Sequence, residues 1–267
     1  MPESGRDGAT AAFVDLDWDG RRVSLEYEPH PGPLGAPLLV FLHEGLGSRS
    51  MWRDFPSRLC HAAACRGLVY SRPGYGRSSG PTERRRDPDY LHRQALEVLP
   101  RLLDALRIAE PVWLFGHSDG GTIALLFAAH HAHRVAGVVA VAPHLFVEDV
   151  TVRGIEAARV SYEKAGLRER LARHHDDADA VFRAWTGIWL SSAFRGWSIE
   201  REIGAIACPL LAVQGVDDEY ATMEQIRGIE RAVPHVRTLE LPGCGHSPQR
   251  DRPAELIERA ARFMRER

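Results

Sequence analysis

The chain has 267 residues, 44% hydrophobic and 26% charged, with a formal net charge of −2. That length holds one large α/β domain or two small ones around a sizeable core, and the near-neutral balance argues against nucleic-acid binding. No stretch approaches the roughly 18 uninterrupted apolar residues of a membrane span, and Cys60, Cys65, Cys208 and Cys244 form no CxxC or CxxH pattern, which fits free thiols in a reducing compartment rather than disulfides or zinc.

The opening "MPESGRDGATAA" is polar and lacks the apolar core of a secretory signal, so a cytoplasmic protein is expected. "AFVDLDWDGRRVSLEYE" alternates apolar and polar residues on both sides of Asp19-Gly20, the pattern of a β-hairpin with a DG turn. After a Pro/Gly loop, "LLVFLH" (38–43) is a short apolar run, as in a strand buried on both faces. The Gly-rich "EGLGS" leads into a helical stretch, "WRDFPSRLCHAAACR", then a strand, "GLVYS", and the turn "RPGYGRSSG". Arg84-Arg85-Arg86 reads as a solvated loop or helix start. Apolar residues at Leu91, Ala95, Val98, Leu99, Leu102, Leu103 and Leu106 predict one helix over 88–107. "VWLFGH" predicts a strand, 119–131 a helix and "VAGVVAVAP" a strand.

This alternation predicts a mostly parallel, doubly wound α/β sheet. It breaks over 144–204, where helical segments around 148–165, 167–173 and 178–190 stand without a strand-like run, and resumes with "CPLLAVQG", a helix at 221–232, "RTLELP" and a helix at 251–266. The expected architecture is a sheet of about eight strands, built from 1–143 and 205–267, with 144–204 as a helical cap.

The chemistry concentrates at "GHSDGG" (116–121). A serine between small residues, with a strand before and a helix after, matches a nucleophile elbow: the tight turn exposes Ser118, and the helix N-terminus directs partial positive charge at the reacting oxygen. A serine hydroxyl needs a base, and the base of such a site follows an acid later in the chain. "QGVDDEY" places Asp217 and Asp218 just past a strand, and "GCGHS" places His246 in a Gly-rich loop past the next. Loops at the carboxyl ends of parallel strands share one edge of a sheet.

"FLHEGLGS" with Trp52, "SRPGYGRS", "GHSDGG", "QGVDD" and "GCGHS" together resemble the α/β-hydrolase superfamily over about residues 12–266, most nearly its small, cofactor-free, esterase-like members with a helical cap. The resemblance implies Ser118 as nucleophile and His246 as base. The acid falls on Asp218, three residues after Gly215, with Asp217 as the alternative. The oxyanion hole would use the backbone N–H of Asp119 and one from the first buried strand's loop. There Glu44 stands where the family has glycine, so Gly45 takes the role, with Leu46 as the alternative. His43 would support that loop by hydrogen bonding. The implied reaction is hydrolysis of a small-molecule ester or thioester, without metal or cofactor. An amidase such as a proline-iminopeptidase-like enzyme, a carbon–carbon bond hydrolase and an acyltransferase share the triad. A non-catalytic ligand receptor is the alternative of another class.

Other residues have bland readings beside functional ones. The Asp119 carboxylate suits the first turn of a helix. A Glu44 carboxylate beside an oxyanion hole must point away, pair with an arginine, or bind a cationic group such as a substrate's free amine. Trp185 and Trp189 share a helix face and either pack the cap on the sheet or line an apolar acyl or aryl pocket. His144 and Phe146, just after the sixth strand, are expected near the site. His130, His131 and His133 suit a helix C-terminus, and "HHDDAD" (174–179) reads as a solvated cap helix rather than a metal cluster.

Overall fold

The computed structural model describes residues 11–80 and 86–266. Arg84 and Arg85 of the basic triplet and nearly all of the N-terminal polar stretch lie outside the described residues.

Eight strands form one sheet in the order β1-β2-β4-β3-β5-β6-β7-β8. They are β1 (Ala12–Trp18), β2 (Arg21–His30), β3 (Leu38–Leu42), β4 (Arg66–Tyr70), β5 (Val112–His117), β6 (Val135–Val141), β7 (Leu210–Gly215) and β8 (Arg237–Leu241). The β1–β2 and β2–β4 pairings are antiparallel, and all the others are parallel. Asp19 and Gly20 close the β1–β2 hairpin with φ of 55° and 69°, the two positive values that match the twist of the flanking strands.

The central strands are mostly apolar because both faces are covered. Leu38, Val40 and Leu42 of β3 join one core with Leu114 of β5 and Ala140 of β6, while Leu39 and Phe41 join the opposite core with Phe115 and Val139. This is the two-residue period of a strand read on both sides. In chain order the helices are α1 (Phe55–Ala63), α2 (Tyr90–Arg93), α3 (Leu99–Ala105), α4 (Asp119–His130), α5 (Asp149–Lys164), α6 (Leu167–Leu171), α7 (Ala178–Trp189), α8 (Glu224–Ala232), α9 (Pro248–Asp251) and α10 (Pro253–Arg265). α1 and α10 cover one face of the sheet; α3, α4 and α8 cover the other.

The helix expected over 88–107 is interrupted: α2 passes into a π-helical turn at Gln94–Val98 before α3. Pro100 supplies the cause, since it has no N–H for the Leu96 carbonyl and its ring displaces that carbonyl, so the ladder widens just before it. Between β6 and β7 the chain forms α5, α6 and α7, and among the described residues of that stretch the one β-pairing is an isolated bridge from Phe146 to Ser198. Trp189, Phe194 and Trp197 pack as a cluster, with ring centroids 5.0 Å apart for Trp189 and Phe194 and 4.9 Å for Phe194 and Trp197. They are continuous with the core beneath α4. Only the end of "HHDDAD" is helical: His174 to Asp177, with His175 buried, form the connection from α6 to α7, Ala178 and Asp179 open α7, and Asp177 caps it by accepting the Ala180 N–H at 2.8 Å. Among the described residues no helix is long and apolar enough to cross a membrane.

Because β3, β5, β6, β7 and β8 run parallel, the loops that follow them emerge on one edge of the sheet, where ligands bind in such folds.

Candidate active site

β5 passes straight into α4 through Ser118, whose backbone sits at φ 54°, ψ −119°. A non-glycine residue at positive φ is strained and persists only where its surroundings over-determine it. Here strand and helix are packed too closely for any alternative. A Cβ on Gly116 would stand 2.1 Å from the Gly120 carbonyl oxygen, and one on Gly120 would stand 2.0 Å from that of Leu42. The Ser118 N–H donates to the Val141 carbonyl at 2.9 Å, tying the turn to β6.

The loops after β7 and β8 bring two more groups to this turn. His246 Nε2 lies 3.0 Å from Ser118 Oγ, and its Nδ1 lies 2.9 Å from each oxygen of Asp218. Asp218, rather than the exposed Asp217, faces the imidazole. Asp218 Oδ1 also accepts the N–H groups of Tyr220 at 2.8 Å and Ala221 at 3.2 Å. The backbone behind the ring is fixed as well: the His246 main-chain N–H donates to Glu219 Oε2 at 3.0 Å and its main-chain carbonyl accepts His117 Nε2–H at 2.7 Å. Burial alone would lower the His246 pKa, but the charge and hydrogen bond of Asp218 outweigh it and raise the value above 6.5. Burial would raise Asp218, yet the facing imidazole and the Tyr220 N–H hold it below the usual carboxylate range.

The loop after β3 is held by its carbonyls. The Glu44 carbonyl accepts three hydrogen bonds, from His43 Nδ1 at 2.8 Å, Arg72 Nη2 at 2.8 Å and the Gly47 N–H at 3.0 Å. The Gly45 carbonyl accepts the Tyr75 hydroxyl at 3.1 Å, and the Leu46 carbonyl accepts His175 Nε2 at 3.0 Å. In a trans peptide the N–H points opposite the preceding carbonyl, so the Gly45 N–H is directed away from Arg72. Among the described residues neither it nor the Leu46 N–H has an acceptor. The Asp119 N–H, at the first position of α4, has no intrahelical partner either.

Arg72 links this loop to the elbow. It is 1% exposed, and both terminal nitrogens of its guanidinium lie 3.3 Å from Asp119 Oδ2. Tyr90 donates to the same oxygen at 3.2 Å, and Trp189 Nε1 donates to the Tyr90 hydroxyl at 2.9 Å. The Asp119 carboxylate is therefore one half of a buried ion pair as well as a first-turn acid. His43 completes the lattice by accepting the Arg72 N–H on Nε2 at 3.0 Å. Burial and the neighbouring Arg72 charge hold His43 well below its ordinary pKa, so it is neutral.

Ser118 opens into a cavity of about 220 Å³ whose walls include Glu44, Gly45, His144, Trp185, Trp189 and Arg250, with Ile155, Leu167 and Leu171 from α5 and α6. Glu44 does not point away: its carboxylate faces His117 Nδ1 at 3.5 Å and Arg250 Nη2 at 3.8 Å. Burial would raise its pKa, but the facing His117 and the charge of Arg250 bring it below the usual range. Trp185 lies on Gly45, where an added Cβ would stand 2.3 Å from the indole nitrogen. Phe146 is not brought to this cavity; its bridge to Ser198 turns it aside, and its side chain packs on the main core.

Residue-by-residue reading missed Arg72, Tyr90, His175 and Glu219. The available signal was weak: an arginine directly after a buried strand, and histidines in a segment read as solvated. Among the described residues no cluster of three or more histidine, cysteine or acidic side chains is placed to hold a metal ion.

The sequence pattern of the Alpha/beta hydrolase family matches residues 39–259. The chain is 31% identical over 290 residues to monoglyceride lipase of Homo sapiens, covering 92% of this chain and 93% of that one. A protein of Nocardia uniformis subsp. tsuyamanensis named among the esterases is 34% identical over 147 residues, and there the match spans 51% of this chain and 42% of the relative. The solved structure of a thermophilic esterase from Thermogutta terrifontis superposes with a TM-score of 0.75 at 19% identity, covering 97% of this chain and 99% of that one, a likeness of fold.

Proposed function

This chain belongs to the alpha/beta hydrolase family, and on that premise we propose that it hydrolyses a small carboxylic ester or thioester through an acyl-enzyme on Ser118. The observation that carries this reading is the unbroken hydrogen-bonded chain from Ser118 Oγ through His246 to Asp218, with Ser118 lining the cavity.

His246 Nε2 takes the hydroxyl proton as Ser118 Oγ attacks the carbonyl carbon, while Asp218 holds the imidazole in the tautomer with Nδ1–H and stabilises its charged form. The negative charge that forms on the carbonyl oxygen is received by the N–H groups of Gly45 and Asp119, neither of which has another acceptor among the described residues and both held in place through Arg72. The imidazolium then returns its proton to the leaving alcohol or thiol. Water, deprotonated by His246, releases the acid. None of these steps calls on a metal or cofactor.

Glu44 has the Arg250 guanidinium 3.8 Å away, so its charge does not call for an amine on the substrate. This favours an ester over an aminopeptidase substrate. The test is hydrolysis of p-nitrophenyl esters from acetyl to decanoyl, with Ser118→Ala alongside. Wild type is expected to show an optimum chain length, and Ser118→Ala to lose about 10⁴-fold or more of that activity. A wild type inert on every ester, with Ser118 unlabelled by an organophosphonate, would sink the reading in favour of a receptor.

A further inference from the structure

Trp185 brings to the cavity a hydrogen-bond donor that no described residue answers. Other tryptophans are paired or sealed: Trp18 donates to Glu97 at 2.7 Å and Trp189 to the Tyr90 hydroxyl at 2.9 Å, while Trp52 and Trp197 hold their indole nitrogens away from solvent. Trp185 Nε1 has no acceptor among the described residues and yet keeps accessible surface, and the residue lines the cavity together with Ser118 and Gly45. An indole nitrogen is a donor only, so the atom that meets it must be an acceptor.

This nitrogen stands at the oxyanion loop. A Cβ added to Gly45 would lie 2.3 Å from Trp185 Nε1 and 2.5 Å from its Cδ1. By standard bond lengths such a Cβ is about 2.5 Å from the residue's own nitrogen, so the Gly45 and Trp185 nitrogens are at most about 5 Å apart. Two N–H groups that each reach one oxygen at about 2.7–3.1 Å can stand that far from each other. Asp119 Oδ1 lies 3.3 Å from the same point, but it is buried and accepts no hydrogen bond among the described residues, so the indole N–H does not go to it. The helix that carries Trp185 is tied to the same charges: Trp189, one turn on and on the same face of α7, donates to Tyr90, which donates to Asp119 Oδ2 at 3.2 Å. The Trp185 ring itself packs 6.1 Å from that of Phe182 and 6.5 Å from that of Tyr220, between centroids. A phenylalanine would pack in this wall as well; what it lacks is the N–H.

We infer that Trp185 Nε1–H is a third donor of the oxyanion hole, beside the N–H groups of Gly45 and Asp119. This role rests on the ester-hydrolase reading, which supplies the carbonyl. As Ser118 Oγ adds to the carbonyl carbon and its proton passes to His246, the carbonyl π pair moves onto the oxygen, which gains a further lone pair and a full charge. A third donor is therefore answered better in the transition state than in the ground state, and only such a difference accelerates the chemical step. Because Trp185 comes from α7, the segment between β6 and β7 takes part in the reaction as well as shaping the cavity.

Wild type, Trp185→Phe and Trp185→His are compared on the p-nitrophenyl esters and with two inhibitors of equal chain length, an alkyl trifluoromethyl ketone and the alkyl methyl ketone. Ser118 adds to the first, whose carbonyl oxygen becomes an oxyanion; the second binds with its carbonyl intact. Unlike changes at the apolar residues beside it, Trp185→Phe is expected to lower kcat/KM about 10- to 100-fold at every chain length. It is expected to weaken the trifluoromethyl ketone by a similar factor and to leave the methyl ketone unchanged. Trp185→His is expected to recover most of the loss, because the imidazole Nε2 falls on the indole nitrogen when the five-membered rings are superposed, and it too can donate. Where Trp185→Phe does not fold, Trp185→Leu takes its place in the comparison. An unchanged kcat/KM, a loss confined to some chain lengths, or an equal weakening of both ketones overturns the assignment and leaves Trp185 as a wall of the cavity. A wild type that hydrolyses no ester and binds neither ketone removes the esterase reading and the third donor together, whereas an active wild type with an indifferent Trp185→Phe removes the third donor alone.

Discussion

The floor and the roof of the cavity are built by different means. The floor comprises the elbow and the loop after β3, and buried charge holds it: Arg72 grips the Asp119 carboxylate and the Glu44 carbonyl at once. The roof, from α5, α6 and α7, is mostly apolar and offers Ile155, Leu167, Leu171 and two tryptophans. Directional bonds place atoms to within a fraction of an ångström, which developing charge requires. Apolar contacts set volume and shape, which tolerate variation. Substitutions in the floor are therefore expected to slow every substrate alike, and those in the roof to redistribute activity among substrates.

The sharpest test of the floor is Asp218→Asn. It is expected to lower kcat about 10⁴-fold for all esters, because the imidazole loses the acceptor that sets its tautomer. The pH profile adds a sign. The Asp218 charge raises the His246 pKa above 6.5, and the base works only when neutral, so wild-type turnover falls as pH drops through that raised value. In Asp218→Asn the residual activity falls at a lower pH than in wild type. An unshifted limb would show that the charge of Asp218 does not set it.

Next in size is Asp119→Asn, which leaves the Arg72 charge buried without its partner. A loss of about 3–5 kcal/mol in urea unfolding is expected, with kcat reduced by up to about 10²-fold across the ester series as the oxyanion donors lose their alignment. A loss confined to one chain length would break the contrast between floor and roof. The smallest effect belongs to the roof: Leu167→Phe is expected to shift the preferred acyl chain to a shorter one, changing the ratio of short to long esters by about ten-fold. A uniform fall across all chains would place Leu167 with the floor.

The β1–β2 hairpin, the central strands and the elbow were legible because each depends on neighbours in the chain. The DG turn needs two adjacent positive φ values, a doubly covered strand needs a run of apolar residues, and "GHSDGG" carries the glycines that its own turn demands. The interrupted helix at 94–98 follows from Pro100, a local cause that periodicity alone did not register. Ser118, Asp218 and His246 could be paired in advance because their order and their places after strands are regular features of parallel sheets.

What the sequence determined by itself is thus the sheet, the elbow and the residues able to meet there. Only the tertiary structure decided which polar groups hold them. Arg72 meets Asp119 across 47 residues and His175 meets Leu46 across 129, while Phe146 turns aside although it follows the same strand as His144. Local patterns encode backbone conformation and burial, but a buried charge finds its partner through packing between distant segments, and no spacing in the chain records that meeting.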